Sequence, residues 1–382
     1  GSQDPPWLHV WHALNGVLLT GIDPQRVLQK KMDEKRLLGR YQGCLVGGAV
    51  GDALGAPIEF MSWDRIRSAY GRHGLSNYAR AYGRRGAVTD DTQMLLFTAE
   101  GLVLSKVRTE YRQPGGIPLA LYHGYLRWLA TQDTHQQDRL IKTHGTCAVA
   151  DGILTAQPAL YARRAPGNTC LAALQSGRMG TIDQPINSSK GCGGVMRVAP
   201  VGLAVQDAEK AFRVGCESAA ITHGHPTGYL AAGFLAALIA RILAGDSLRQ
   251  AVDASMGILE TWPGHAECLR MVARAVDLVE RAEPSVATVE QIGAGWVAEE
   301  ALAIGVYSAL AGDKAFEKGV LLAVNHSGDS DSTGAITGNI MGALHGIGSV
   351  PQRWTAELEL HDVIVEMAVD LFDQVVRPKN DR

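Results

Sequence analysis

The sequence predicts an all-α fold in one domain, and three observations support this prediction. Segments 228–245, 266–282 and 361–376 carry apolar residues at helical spacing. Few stretches alternate with the two-residue period of a β-strand, and β-branched runs are scarce. Small residues also recur at every fourth position in three segments, which places them on single helix faces.

These small-residue stripes predict which helices pack together. A face without side chains lets two helix backbones approach closely. Glycine inside a helix costs about 1 kcal/mol relative to alanine, so close packing must offset that cost. We therefore expect three central helices, with the first and last elements of the domain side by side. The three series are Gly43, Gly47, Gly51 and Gly55; Gly334, Gly338, Gly342 and Gly346; and Gly228, Ala232, Ala236, Ala240 and Ala244.

Composition narrows the class of protein. The 382 residues are 46% hydrophobic and 20% charged, as in a globular protein with an ample core. A formal charge of −3 gives no basic surface for nucleic acid or anionic lipid. The six cysteines show no CxxC spacing, which is typical of reduced thiols. We expect a cytoplasmic protein without a signal peptide, a membrane-crossing apolar run, a nucleic-acid partner or a membrane partner.

The N-terminal region differs from the rest of the chain. Residues 1–5, GSQDP, resemble a vector-derived remnant. Residues 6–36 form an extension that carries Trp7 and Trp11. It is either a peripheral helix on the body or an arm that binds another protein, since tryptophan serves both roles. The main domain is expected over 37–382.

Two acidic turns are the candidate functional residues, and each precedes an apolar run. Capping of a helix N-terminus explains one Asp, Ser or Thr at each turn, but not several. Gathering four aspartates is costly unless a cation neutralises them. Oxygen ligands suit Mg²⁺, Mn²⁺ or Ca²⁺, and two such turns together could hold a pair of cations. The turns contain Thr89, Asp90, Asp91 and Thr92, and Asp329, Asp331 and Ser332.

Three other features are weaker signals. Glu59 follows Pro57, which should end the first glycine-striped helix. The loop 187–197, NSSKGCGGVMR, could offer backbone N–H groups to an anion. His223 and His225 precede the 228–245 helix, where packing or capping is the commoner role of histidine.

Five motifs follow one another between residues 38 and 350: GCLVGGAVGDALGAPIEF, TDDTQM, SKGCGGVMRVAP, THGHP and SGDSDSTGAITGNIMGALHG. In this combination the chain strongly resembles the ADP-ribosylglycohydrolase family. The resemblance implies a single compact orthogonal helical bundle with a binuclear metal site. It also implies two divalent cations, Mg²⁺ or Mn²⁺, and hydrolysis that removes ADP-ribose from modified proteins.

The resemblance further implies roles for individual residues. The metal ligands would be Thr89, Asp90, Asp91, Asp329, Asp331 and Ser332, the last of these standing where many relatives carry Thr. The catalytic residues would be Glu59, Asp91 and Asp329. The substrate would contact Ser189, Lys190, Gly191, Gly193 and His223.

Two departures from the family pattern affect the expected chemistry. Cys192 stands where many relatives have Asn. Ala165 stands where the arginine-specific bacterial relative has an aspartate, just before Gly167-Asn168-Thr169. Acid–base work would then fall to Asp91, Glu59 or a metal-bound water.

The expected function is cleavage of the N-glycosidic bond between ADP-ribose and an arginine side chain. One hypothesis is immunity against an ADP-ribosylating toxin, bound through residues 6–36. Two alternatives stay open at this point: a protein that binds ADP-ribose or a toxin without turnover, and another two-metal hydrolase such as a phosphatase.

Overall fold

A computed structural model describes residues 24–110, 116–312 and 314–377, and within these ranges the fold is all-α, as predicted. The α-helices in chain order are α1 (Pro24–Gly55), α2 (Trp63–Tyr70), α3 (Asp90–Glu110), α4 (Gly116–Gln132), α5 (Gln137–His144), α6 (Thr146–Val149), α7 (Asn168–Gln175), α8 (Ala199–Ala204), α9 (Ala208–Ala220), α10 (Pro226–Ala244), α11 (Leu248–Glu260), α12 (Ala266–Arg281), α13 (Val286–Ile292), α14 (Ala298–Gly312), α15 (Phe316–Val324), α16 (Ser330–His345), α17 (Gln352–Thr355) and α18 (His361–Val376). Short 3₁₀ turns cover Thr134–Gln136, Leu154–Ala156, Pro158–Tyr161, Cys192–Gly194 and Ile347–Ser349. The three helices predicted from apolar spacing correspond to α10, α12 and α18.

A short hairpin interrupts the helices. Strands β1 (Arg80–Ala81) and β2 (Arg84–Arg85) pair antiparallel. Tyr82 and Gly83 join them with φ values of 50° and 83°, the two positive angles that a tight two-residue hairpin turn requires.

The two glycine stripes meet, which confirms the predicted pairing of α1 with α16. A Cβ on Gly51 would lie 2.0 Å from the carbonyl oxygen of Gly334, and one on Gly338 would lie 2.0 Å from that of Gly47. Since only glycine fits at this distance, the two backbones are in direct contact. The last described helix, α18, also packs on α1, the first described helix.

Helix α10 corrects the expectation that no apolar run could cross a bilayer. At 19 residues it is long and apolar enough to do so by length and composition. However, 83% of its apolar window is buried inside the protein. The third small-residue stripe packs on α9 and α8, since a Cβ on Gly215 would lie 2.9 Å from the Ala232 carbonyl oxygen and one on Gly202 would lie 2.5 Å from that of Ala236. The apolar composition of α10 is thus that of a core helix.

The predicted boundary at residue 37 falls inside α1. Residues 24–36 are the first part of this helix, and residues 6–23, with both tryptophans, lie outside the described residues. Leu28 and Met32, four residues apart on α1, are 61% and 58% exposed. The partner-binding role of this region stays a prediction.

Candidate metal and substrate site

The fold brings the two acidic turns together. Helix α3 begins at Asp90 and α16 at Ser330. Gly55, at the end of α1, lies so close to the start of α16 that a Cβ there would be 2.3 Å from the Asp331 nitrogen. The chain turns at once after Gly55, and this places Glu59 beside the second acidic turn.

Asp52, which the sequence analysis did not single out, organises the first turn. Its buried carboxylate accepts hydrogen bonds from the N–H of Thr89 at 2.9 Å and the N–H of Thr92 at 3.1 Å. The Thr92 hydroxyl also donates to it, at 2.5 Å. The first N–H groups of α3 therefore have their acceptor on α1, and Asp90 and Asp91 are not needed as caps. The sequence feature that could have identified Asp52 is its position as an acidic residue inside a glycine stripe.

In the second acidic turn, too, the aspartate side chain at the start of the helix does not act as a cap. Asp329 occupies the N-cap position of α16, yet its side chain caps no N–H group there. Its Oδ2 instead accepts a hydrogen bond from the Cys192 thiol at 2.9 Å. Capping thus explains neither acidic turn.

The carboxylate oxygens converge on one small space. One oxygen each of Glu59, Asp329 and Asp331 lie within 4.8 Å of one another. Asp91 Oδ2 and Glu59 Oε2 are buried and have no hydrogen-bond partner. Asp91 is 3% exposed. Buried carboxylates without partners are strongly unfavourable, so this donor set fits hard divalent cations bound through oxygen.

The electrostatics of these groups show the same crowding. Burial and the nearby Asp331 carboxylate raise the pKa of Asp52 to about 7. Burial, together with Asp331, Asp329 and Asp90, raises the pKa of Glu59 to about 10. Burial is also the largest cause that raises the pKa of Asp90, Asp91, Asp329 and Asp331 above the ordinary range. A bound divalent cation would reverse these shifts because it favours the ionised form.

The acidic cluster opens into a cavity of about 310 Å³. Its wall contains most of the residues that the sequence analysis proposed: Glu59, Asp90, Asp91, Gly191, Gly193, His223, Asp329, Asp331 and Ser332. The loop 165–169 forms another part of the wall, and the Gly167 N–H donates to Asp90 Oδ2 at 3.2 Å. Ala165 contributes only a methyl group, so no carboxylate is present at that position.

Thr89 lies behind this wall. It is fully buried, and its hydroxyl accepts a hydrogen bond from the Asp91 N–H at 3.3 Å. Thr89 therefore supports the first acidic turn and does not line the cavity.

His223 lies under the glycine loop. A Cβ on Gly193 would be 2.9 Å from its Cε1 atom, so the loop must be glycine to pass the ring. Its Nδ1 hydrogen-bonds the Thr222 hydroxyl at 2.8 Å. Burial and the neighbouring Arg197 lower the pKa of His223 to about 3. The imidazole is therefore neutral at physiological pH.

Two proposed substrate residues point elsewhere. Lys190 Nζ forms ion pairs with Glu267 at 2.7 Å and with Glu299. Ser189 shares a hydrogen bond with Thr169 at 3.1 Å. Neither residue lines the cavity, so their substrate contacts stay predictions.

Sequence reasoning missed two further features of the site. Phe60 and Trp296 stack at the cavity wall, with ring centroids 5.3 Å apart, and are 66% and 41% exposed. Arg164 and Glu359 form a buried ion pair that hydrogen-bonds Val88, the residue before the first acidic turn. Arg164 donates to the Val88 carbonyl at 2.8 Å, and Glu359 accepts from the Val88 N–H at 3.2 Å.

Comparison with known proteins identifies the family of this chain. The family model for ADP-ribosylglycohydrolase matches residues 33–381. The ADP-ribosyl-[dinitrogen reductase] glycohydrolase of Rhodospirillum rubrum is 25% identical over 331 residues, covering 84% of this chain and 90% of its own. The ADP-ribosylarginine hydrolase Tri1 of Pseudomonas putida is 24% identical over 352 residues, covering 89% and 80%.

A solved structure, the ADP-ribosylglycohydrolase-related protein complex, aligns with a TM-score of 0.58 and 25% identity over 90% of this chain and 100% of its own. The family model spans nearly the whole chain, and the aligned structure has the same fold. This protein therefore belongs to the ADP-ribosylglycohydrolase family.

Proposed function

We propose that this chain hydrolyses the N-glycosidic bond between ADP-ribose and a protein arginine, with two divalent cations, Mg²⁺ or Mn²⁺. The observation that carries the proposal is the convergence of carboxylates from two helix N-termini and Glu59 on one cavity. Two relatives whose names specify removal of ADP-ribose, one of them from arginine, support the substrate class.

The cations would be held by Thr89, Asp90, Asp91, Asp329, Asp331 and Ser332. When bound, they would supply Lewis-acid activation of the attacking water and of the ribose hydroxyls. Contacts of Asp52, Arg164 and Glu359 with the first turn, and of Gly55 with the second, support this assignment.

Proton transfer falls to the chain's own carboxyl groups. Water adds to the anomeric carbon and loses a proton to a carboxylate, the bond to the guanidino nitrogen breaks, and that nitrogen takes up the same proton from the carboxyl group. Ala165 cannot serve, whereas Glu59 lies at the cavity with Oε2 unpartnered. We assign Glu59 as the group that accepts the proton from water, with Asp91 and Asp329 stabilising positive charge at the anomeric carbon.

Binding of the rest of the substrate would use the opposite wall. Neutral His223 and the backbone at Gly191 and Gly193 face the cavity and suit the diphosphate, since they add no negative charge. The exposed rings of Phe60 and Trp296 offer apolar surface to the part of the substrate outside the acidic cluster.

The test is release of ADP-ribose from an arginine-ADP-ribosylated protein, with Mg²⁺ and then with EDTA. We expect release that depends on the cation and is lost in Asp90→Ala and Asp329→Ala. Full activity in either variant would refute the site. Release of inorganic phosphate from a phosphoester in place of ADP-ribose would favour a phosphatase.

A second role is supported by a separate surface. Leu28 and Met32 are exposed on one face of α1, within the segment 6–36 proposed to bind a partner. We propose that this face contacts an ADP-ribosylating toxin in the cytoplasm, where free cysteines such as the six here persist. Unchanged toxin affinity in Leu28→Glu with Met32→Glu would remove this role and leave catalysis intact.

A further inference from the structure

Cys192 lies in the wall of the acidic cavity. It is part of the 3₁₀ turn Cys192–Gly194 and is half-buried. Its Sγ is 2.9 Å from Asp329 Oδ2 and 3.7 Å from the Ser332 hydroxyl. A thiol therefore touches two residues proposed to hold the cations.

The space beside Cys192 is independently suited to a cation. Asp91 faces the same cavity at 3% exposure, and its Oδ2 has no partner. Glu59, Asp329 and Asp331 each bring an oxygen within 4.8 Å of the others. These carboxylate oxygens have no neutralising cation among the described residues that line the cavity, and Cys192 Sγ borders the same cavity.

We propose that Cys192 is a soft ligand of this centre, through which the site binds thiophilic divalent cations such as Zn²⁺, Cd²⁺ or Co²⁺. The proposal rests on the cation site of the proposed function. Mg²⁺ and Mn²⁺ prefer oxygen and would be held by the carboxylates, with the thiol donating its hydrogen bond to Asp329. For a thiophilic cation, a metal–sulfur bond forms and the thiol proton passes to solvent; nothing is oxidised or reduced.

The geometry permits this bond. Ligand atoms about 2.1 and 2.3 Å from one zinc ion lie at most about 4.4 Å apart. Cys192 Sγ and Asp329 Oδ2 are within that limit, at 2.9 Å. A small rotation of either side chain allows both atoms to share one ion.

The selectivity follows from ligand type. Thiolate sulfur favours Zn²⁺ and Cd²⁺ over Mg²⁺, whereas an amide oxygen at the same position would not. The protein should therefore bind Zn²⁺ or Cd²⁺ more tightly than a Cys192→Asn variant does, and these cations should inhibit the reaction that Mg²⁺ supports.

The test is titration of the metal-free full chain with Co²⁺, followed by absorbance. Visible ligand-field bands report entry of the cation, and a near-ultraviolet thiolate-to-cobalt charge-transfer band reports a bond to sulfur. The variants are Cys192→Asn and Cys192→Ser. Cys147→Ser is the matched control, because Cys147 is exposed and lies outside the cavity.

We expect the charge-transfer band in the wild type and in Cys147→Ser, and its loss in both Cys192 variants. Zn²⁺ affinity should fall by about tenfold or more in Cys192→Asn, and Mn²⁺ affinity should change by less than about threefold.

Three results would overturn the inference. Ligand-field bands without a charge-transfer band would refute the sulfur ligand and leave the carboxylate site standing. A charge-transfer band that survives in both Cys192 variants would assign the sulfur to another cysteine. Absence of all cobalt bands would refute the thiophilic site, and absence of bound Mn²⁺ as well would refute the cation site itself and the metal-dependent function.

Discussion

Asp52 provides the sharpest structural prediction. Three donors, the N–H groups of Thr89 and Thr92 and the Thr92 hydroxyl, converge on its buried carboxylate. Asp52→Ala removes this acceptor, whereas Asp52→Asn keeps an oxygen of the same shape and removes only the charge. The pair of variants therefore separates the hydrogen bonds from the electrostatics.

The expected loss of free energy of unfolding follows from the number of donors that lose their acceptor. Each buried donor left without an acceptor costs about 1–3 kcal/mol. The free energy of unfolding should therefore fall by roughly 3 kcal/mol or more in Asp52→Ala, and by about 1 kcal/mol in Asp52→Asn. Because the freed turn carries Asp90 and Asp91, Mn²⁺ affinity should also weaken by about 10- to 100-fold in Asp52→Ala.

Urea unfolding and Mn²⁺ titration by electron paramagnetic resonance measure the two effects. Asp253→Ala on α11 is the control, since Asp253 is 55% exposed and such a change shifts stability by less than about 0.5 kcal/mol. An Asp52→Ala protein with unchanged Mn²⁺ affinity would refute the assignment of Asp52 as the residue that positions the turn. Equal losses in the two Asp52 variants would show that charge, and not hydrogen bonding, is what matters.

Three other predictions concern packing, the buried ion pair and pH. Gly338→Ala should lower the free energy of unfolding by about 1–3 kcal/mol, because its Cβ would lie 2.0 Å from a backbone oxygen. The control Gly257→Ala, whose Cβ would have nothing within 4 Å, should raise it by about 1 kcal/mol. Thermal unfolding of both variants measures the two changes, and equal stability would contradict the packing role of Gly338. Arg164→Ala removes one of the two arginines paired with the buried Glu359, since Arg84 also pairs with it at 3.3 Å, so stability should fall by about 1–3 kcal/mol and Mn²⁺ affinity should weaken, and an unaltered affinity would contradict the role of this pair. Without cations, stability should decline between pH 7 and pH 9, because buried carboxyls with raised pKa values, such as Glu59 at about 10, stay protonated while the unfolded chain has lost those protons; Glu59 alone contributes a slope of about 1.4 kcal/mol per pH unit. Saturating Mg²⁺ should flatten this decline and Glu59→Gln should reduce it by the Glu59 contribution in urea unfolding at the two pH values, and an equally steep decline in Glu59→Gln would contradict the assignment.

Helical periodicity and small-residue spacing were sufficient to predict the architecture. The apolar spacing located α10, α12 and α18, and the glycine stripes predicted the contact between α1 and α16. These features depend on local repeats, which a single sequence displays directly. The small-residue stripe predicted the central position of α10, whereas its composition alone also fits a membrane span and does not distinguish the two.

The sequence singled out the acidic residues of the candidate site and not the residues that support them. Asp90, Asp91, Asp329 and Asp331 stood out because several carboxylates share each turn. The role of Asp52, the ion pairs of Lys190 and the stacking of Phe60 on Trp296 depend on partners distant in sequence. No local pattern encodes such a partner, so these contacts required the folded structure.

The central claim is that the two acidic turns together hold a pair of divalent cations. The most direct test is the number of Mn²⁺ ions bound per chain, measured by electron paramagnetic resonance for the wild type and for Asp331→Asn, since the Asp331 carboxylate contributes to raising the pKa of Asp52, Glu59, Asp90, Asp91 and Asp329. We predict two ions in the wild type and one or none in the variant. No bound Mn²⁺ in the wild type, or two ions in Asp331→Asn, would contradict the account.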